Sequence, residues 1–575
     1  MQAPRILVLL CVAGLVFALS LFRLHDDDVG FLVAGGRLVR QALATGEPVP
    51  TQNPFSYAVP GHPWTQHQWL ASAAMSWLVD DAPDLLRIRP EPGHPDARVL
   101  ILVKATLYAA LFLALTAGML AEGCPWAIAF LFAALGAVAA SPRFYERPYL
   151  LSAIGLATVV LSLRAFMRTR RWPWLLLAAV APIVNAHLHA GVFDSILAHL
   201  AVCVGAVAAW LWSRGGHGPS PAPQAATLLA VLVGVIGTLA LFAPSGIEVL
   251  LLPLRMTDSA YWAKHLKEFR PLWTAIVPMW PAVLFTIVSL VVLVWRRSRV
   301  DLGGHLLVLG FAFLAVKHLR MVLPFVVATL PILGQALAGV SLRRGLWAIV
   351  VAAGVLVGGA GLWLQGQRFS LGLGDASDGG IDPSAHPFYL LDRIEQDQLP
   401  GEVFVSDGLA GTFLWRLYPP RRVLVHTDLE AYPVEVFEDP YQVIRYARDG
   451  FEDRIRALGI RTFLLKHSTV GERLAAAGRP NLRDILWERS GTGRFPDAVL
   501  VDFDDAASLW VLRDALPEGV STLAHFPVNP DTGRPRPGVP FEEVRAALLE
   551  HAAAHPFSRR SLAILARLSG NQVAF

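Results

Sequence analysis

RILVLLCVAGLVFALSLFRLHDDD, residues 5–28, joins an apolar run to three consecutive aspartates. About 20 apolar residues cross a bilayer as a helix, so the aspartates mark the point where the chain leaves the membrane. Arg5, the apolar run and the small residues Ala18 and Ser20 mimic a secretory signal. The run is long enough to stay in place and further spans follow, so we read it as a retained first helix. Three adjacent carboxylates repel one another, and anchoring a helix does not call for them. A site that takes a proton from a hydroxyl, or holds a divalent cation such as Mg or Mn, does call for clustered carboxylates. Asp26 and Asp28 form a D-x-D of that kind. The plainer alternative is an acidic stop after a first span.

Outward from this stretch the chain remains apolar. Its 575 residues are 54% hydrophobic and 16% charged, against about a quarter charged in a soluble domain, and its mean hydropathy is +0.48. Further runs of near-spanning length lie at about 98–119, 125–141, 148–167, 173–188, 193–213, 224–244, 275–295, 303–317, 320–340 and 344–364. With the first at 5–22, they predict eleven transmembrane helices. Trp69–Leu78 is too short for a span and suits a helix in the interface, with Trp69 and Trp77 at headgroup level. That choice puts the basic loops Arg168–Arg171, Arg296–Arg299 and Arg343–Arg344 on one side, which the positive-inside bias makes cytoplasmic. The first loop, 23–97, and the tail, 365–575, then face outward. The net charge of +4 reflects these loop arginines and is no sign of nucleic-acid binding. Cys11, Cys124 and Cys203 lie in or beside apolar segments, so the exported tail has no disulfide framework.

The tail opens with a Gly/Asp/Ser linker within 365–384 and alternates element types from 385 to 515. Helices are expected at 387–396, 409–417 and near 440–458. Strands are expected at Glu402–Ser406, Arg422–His426, Arg461–Lys466, Ala498–Asp502 and Leu509–Leu512. This is the pattern of a small α/β domain. Residues 516–575 read as a linker and a helix pair, Phe541–Ala554 and Arg559–Leu568, a candidate surface for a protein partner.

Beyond the aspartates and His25, three constellations carry chemistry. Thr51–Leu70, TQNPFSYAVPGHPWTQHQWL, is a Pro-stiffened loop whose Asn53, His62 and His67 can read a sugar or hold a phosphate. Its histidines match no metal-ligand spacing. Arg143, Arg147, Lys264, Lys267, Arg270, Lys317, His318 and Arg320 place positive charge on the outward side, against the usual bias. An anionic lipid phosphate would account for them, and snorkelling residues at helix ends are the bland reading. In Asn185–Gly191, Asn185 and His189 share a helical face and His187 points away. Asp407, Asp428 and Glu430 follow strand ends and read as turn or cap residues.

The order of span one, the acidic D-x-D, Gly36-Arg37, Pro54-Phe55-Ser56 and Pro63-Trp64-x-x-His67-x-Trp69-Leu70 resembles the GT-C superfamily of membrane glycosyltransferases. Arg147-Pro148-Tyr149-Leu150, Asn185–Gly191 and Lys317-His318 extend the resemblance over residues 5–340, and Val403–Leu414 and Val423–Tyr432 into the tail. It is similar to the polyprenyl-phosphate-sugar-dependent members, such as protein mannosyltransferases and lipid A aminoarabinose transferases. Two departures stand out: Gly30-Phe31-Leu32 lacks a histidine that relatives often carry, and Asn53 stands where many have Asp. The resemblance implies an inverting transfer from a polyprenyl-phosphate sugar to an envelope glycan, lipid or protein acceptor at a bacterial inner membrane. It implies Asp28 or Asp26 as base or metal ligand, and Arg143, Arg147, Lys317 and Arg320 as phosphate contacts. A non-catalytic membrane anchor presenting the tail is the alternative. A glycolipid flippase fits less well, because the spans are nearly free of charge, with Lys104 and Asp194 near an interior or end.

Overall fold

The computed structural model describes residues 3–89, 95–213, 222–242, 246–258, 266–374, 378–468 and 481–570. Helix α1 (Ala3–Ser20) leads into two helices of the first loop, α2 (Asp28–Thr45) and α3 (Trp69–Asp80). α4 (Arg98–Ala121), α5 (Trp126–Ala140), α6 (Tyr149–Thr169), α7 (Pro173–Leu188), α8 (Val192–Ser213) and α9 (Ala222–Phe242) follow. A short α10 (Glu248–Asp258) precedes α11 (Trp280–Trp295), α12 (Leu302–Lys317), α13 (Val322–Ala336) and α14 (Arg344–Arg368). Eight of these, counted with their flanking turns, are long and apolar enough to cross a membrane, and α7, α11 and α12 are shorter apolar helices. The two sets coincide with the eleven expected segments.

The helix α2 is absent from the sequence reading because its glycines blur any apolar stripe. Those glycines are what lets it pack. A Cβ on Gly36 would lie 2.0 Å from the carbonyl oxygen of Ser72 in α3, so only glycine permits that approach.

Ion pairs fix the two ends of the bundle. Arg164 near the end of α6 pairs with Glu122 and with Asp301, and Arg296 donates to the carbonyl of Ala336 at 2.9 Å. These contacts gather residues 122, 164–168, 296–301 and 336 at one end. Arg147, Glu268 and His318 lie at the opposite ends of the same helices. Lys104, one of the two charges near a span's interior or end, is buried within the bundle and paired with Glu146. Burial makes such a pair costly to form and more costly to break, by roughly 3–5 kcal/mol.

The tail contributes α15 (Phe388–Gln396), β1 (Glu402–Val405), α16 (Ala410–Leu417), β2 (Ile460–Lys466), β3 (Ala498–Phe503) and β4 (Ala507–Leu512). The sheet order is β1-β2-β4-β3, with β1 and β2 parallel and the other pairs antiparallel. Arg422–His426, expected as a further strand, does not join this sheet. It runs beside the first loop, where Val423 N–H donates to the Phe55 carbonyl at 2.9 Å and Tyr57 N–H donates to the Val423 carbonyl at 3.1 Å. Its apolar residues are buried against a different partner from the one their alternation implied.

The linker is likewise engaged. Leu371 bridges Phe22 and Ile381 bridges Leu24, and Ala97 N–H donates to Gly379 at 2.7 Å. One hydrophobic core therefore contains Leu24, Phe31, Phe55 and Trp64 of the first loop with Phe404, Phe413, Phe463 and Trp510 of the tail. The C-terminal helices α17 (Phe541–Ala554) and α18 (Arg560–Leu568) fold back on the sheet, with Arg560 donating to the carbonyl of Pro530 at 2.9 Å.

Candidate active site

Where α1 gives way to α2, the three aspartates point three ways. Asp26 accepts from Arg147, through Nε and through Nη2 at 2.9 Å. Asp28, the first residue of α2, receives Arg147 Nη1 at 2.7 Å. One guanidinium thus forks between both carboxylates of the D-x-D, a geometry that a lysine ammonium cannot copy. Asp27 turns to the tail and accepts from the backbone N–H of Gly411 and Thr412 at 2.9 Å each and from the Thr412 hydroxyl at 2.8 Å. It caps the start of α16. The approach is close enough that a Cβ on Gly30 would lie 2.1 Å from the Gly411 carbonyl carbon.

The charge states of the pair diverge. Burial would raise Asp26, but Arg147 outweighs it and holds the carboxyl below its ordinary value. Burial pushes Asp28 up to about 7, with Arg147 opposing and the negative charges of Asp26 and Asp27 adding to the rise. Two neighbouring carboxylates separated in this way are the pattern of a fixed counter-ion beside a group able to exchange protons near neutrality.

Positive charge closes one side. Arg143 donates to Glu268 at 3.1 Å and lies over the Tyr149 ring. Burial alone would raise Glu268, yet Arg143, Arg320 and Arg147 together hold it at about 2. Arg320 lies over the Phe269 ring at 4.9 Å and, among the described residues, has no carboxylate within salt-bridge distance. His318 contacts the Phe269 carbonyl through Nδ1 at 3.0 Å, which holds the 317–321 turn against the 268–270 segment. Lys317 is exposed at the end of α12. Lys264 lies outside the described residues.

The other side is shared between the first loop and the tail. His67 pairs with Glu430 and Trp64 Nε1 donates to Asp428 at 2.8 Å. Burial would lower His67, but Glu430 and Asp428 carry it up to about 9. Asp428 is pushed up to about 7 by burial and by Glu430. His189 meets His67 with ring centroids 5.5 Å apart. Its Nδ1 accepts from Gly191 N–H at 2.9 Å and lies 2.9 Å from the Ser152 hydroxyl. Burial, then His67 and Arg320, keep His189 neutral, so its proton sits on Nε2. Asn185 shares the same Ser152, while His187 turns away onto Trp69.

The remaining candidates sit further out. His25 contacts Asp382 at 3.2 Å. His62 lies half-buried in the turn whose carbonyl accepts from Asn53 N–H. Asn53 is buried, with Nδ2 donating to the Ala431 carbonyl and Oδ1 accepting from Phe55 N–H, both at 2.9 Å. An aspartate there would have no N–H for Ala431, which accounts for the Asn53 departure. At the Gly30-Phe31-Leu32 departure, Phe31 stacks on His426 of the tail at 5.0 Å.

Among solved structures, the chain is similar to the archaeal oligosaccharyltransferase AglB from Archaeoglobus fulgidus, determined in complex with an inhibitory peptide and a dolichol-phosphate. The TM-score is 0.55 at 11% identity, over 80% of this chain and 69% of that one. It is also similar to arabinofuranosyltransferase AftD from Mycobacteria, with TM-score 0.52 and 16% identity over 89% of this chain and 40% of that one. Both are GT-C membrane glycosyltransferases. The chain has the GT-C fold. No family model and no curated protein matches its sequence.

On this GT-C scaffold the D-x-D suits a divalent cation poorly. Arg147 fills the space between Asp26 and Asp28 and takes oxygens of both, so the positive charge there belongs to the protein. Three site residues escape sequence reasoning. Glu268 is hidden between Lys267 and Arg270 in a basic segment. Asp428 and Glu430 look like turn residues, and only their D-x-E spacing, matching the D-x-D of the first loop, hints otherwise.

Proposed function

We propose that the protein is a membrane glycosyltransferase that moves a sugar from a polyprenyl-phosphate donor to a hydroxyl of an envelope acceptor, with inversion. The observation that carries this reading is the Arg147 fork between Asp26 and Asp28, with Arg143 and Arg320 beside it. Asp28 takes the acceptor proton as the acceptor oxygen bonds to the anomeric carbon. The bond from that carbon to the phosphate oxygen breaks, and its electron pair stays on the departing lipid phosphate. A single displacement inverts the centre. Phosphate is already a good leaving group, so the chemistry needs a base and fixed positive charge more than an acid.

Arg147, Arg143 and Arg320 supply that charge, and Arg320 has no carboxylate among the described residues within salt-bridge distance. Exposed Lys317 receives the phosphate as it arrives from the bilayer, with His318 setting the turn. His189 Nε2–H and His67 line the sugar side, with His25 and His62 toward the acceptor. The site lies at the bundle end opposite Arg168–Arg171 and Arg296–Arg299, which the positive-inside bias places in the cytoplasm. We therefore place the reaction on the outer face of a bacterial cytoplasmic membrane. The GT-C neighbours, one holding a dolichol-phosphate, support a lipid-linked donor.

Comparing the lipids and glycans of a deletion strain with its parent by mass spectrometry tests the reading. The expected outcome is loss of a sugar from one envelope component and accumulation of a polyprenyl-phosphate sugar. Identical profiles would refute it.

A further inference from the structure

The C-terminal helix pair is held to the sheet by a second polar cluster, remote in sequence from the site above. His551 and His555 stand one helical turn apart at the end of α17, their rings stacked with centroids 4.1 Å apart. Both turn Nε2 to Asp502 at the end of β3, at 3.1 Å and 3.2 Å. All three residues are buried, and Phe503 stacks flat on His551 at 3.9 Å. The outer nitrogens are engaged: His555 Nδ1 contacts the His551 carbonyl at 2.9 Å, and His551 Nδ1 contacts the Ser561 hydroxyl at 2.9 Å. Donation from His555 Nδ1–H to that carbonyl leaves the Nε2 lone pair of a neutral ring facing inward. This is the outer-shell arrangement of metal-bound histidine. The Tyr389 hydroxyl adds an oxygen, 2.8 Å from Asp502 and 3.0 Å from His555 Nε2.

We propose that Asp502, His551 and His555 form a zinc site that pins the C-terminal helices to the sheet. Zinc takes imidazole nitrogen and carboxylate oxygen at about 2.0–2.2 Å, which puts tetrahedral ligand atoms about 3.3 Å from one another. The separations from Asp502 to the two imidazole nitrogens, 3.1 Å and 3.2 Å, are close to that. The tail carries no cysteine, so a metal clip supplies the cross-link a disulfide would give an exported domain. A cleft lined in part by Tyr389, Phe557, Asp504 and Asp505 opens against the same tyrosine and offers an entry path. The competing arrangement is an ion-free network in which Arg393, 2.9 Å from Asp502, and a protonated His555 neutralise the carboxylate.

The test uses the full-length protein in detergent, stripped with chelator and then given zinc alone. Elemental analysis of the wild type and of the His551→Gln/His555→Gln double variant should differ by one zinc per chain. Zinc should raise the melting temperature of the stripped wild type and not that of the variant. If the variant fails to fold, cobalt(II) added to the stripped wild type still decides the matter: a visible spectrum of tetrahedral cobalt supports the site. Equal zinc in both proteins, a wild-type melting temperature indifferent to zinc, or no such cobalt spectrum would overturn it.

Discussion

Arg147 engages Asp26 and Asp28 and leaves Asp27 to the tail, so three chemically identical neighbours have three duties. Asp28 is the group poised to accept a proton, because burial and its like-charged neighbours carry it to about 7. As a base it works deprotonated, so the transfer rate should climb with pH and level off above about 7. A pH–rate profile on membranes checks this, and a rate falling through that interval would remove Asp28 from the role. The same shift bears on stability with the opposite sign. A carboxyl raised in the folded state is penalised as pH climbs from its ordinary value of 3.8 toward 7. Asp28→Asn should therefore leave the melting temperature unchanged or higher. Arg147→Lys keeps the charge and loses the fork, and should cost roughly 10²–10³-fold in rate, the effect of losing one positioned donor to developing charge. The sequence offered the cations and the acidic run, and so Arg147 and Asp28 were legible. It could not separate Asp27 from its neighbours, because that difference lies in which surface each side chain meets.

Between elements, the pairing of the first loop with the tail decides what the site is. His67 with Glu430, Trp64 with Asp428, and Asp27 with the start of α16 all cross that boundary. Such contacts join residues more than 350 positions apart, and periodicity carries no information about them. Arg422–His426 shows the limit well: its alternation announced a strand, and the partner turned out to be Phe55–Tyr57. The α2 helix was missed for a related reason, since Gly30 and Gly36 are chosen for close approach and not for helix propensity. The His67 clamp carries its own pH signature. Its pKa is raised to about 9, so its stabilisation is full below the ordinary histidine value and is lost as pH rises through about 9. Limited proteolysis should show the 51–68 loop becoming cleavable above that pH, and His67→Gln should make it cleavable at neutral pH. A loop equally protected throughout would show that the clamp does not hold the tail.

Across the whole molecule, the apolar runs foretold the bundle well, because spanning a bilayer imposes length and composition directly. The mixed sheet followed from short alternating runs, although its union with the first loop into one core did not. The two-ended charge distribution is the ground for the proposed orientation. A reporter active only outside the cytoplasm should work when fused beyond Arg368 and fail when inserted at Arg168–Arg171. The reverse pattern would invert the placement of the site.

Asp28 is proposed as the base of a sugar transfer. The most direct check is to return wild-type, Asp28→Asn and Asp27→Asn genes to the deletion strain, match their protein levels, and measure the modified envelope component by mass spectrometry. The wild type should restore the modification, and Asp28→Asn should restore it at a rate lower by roughly 10²–10⁴-fold. Asp27→Asn, which keeps an acceptor oxygen for α16, should retain transfer. Full restoration by Asp28→Asn at matched abundance would contradict the account.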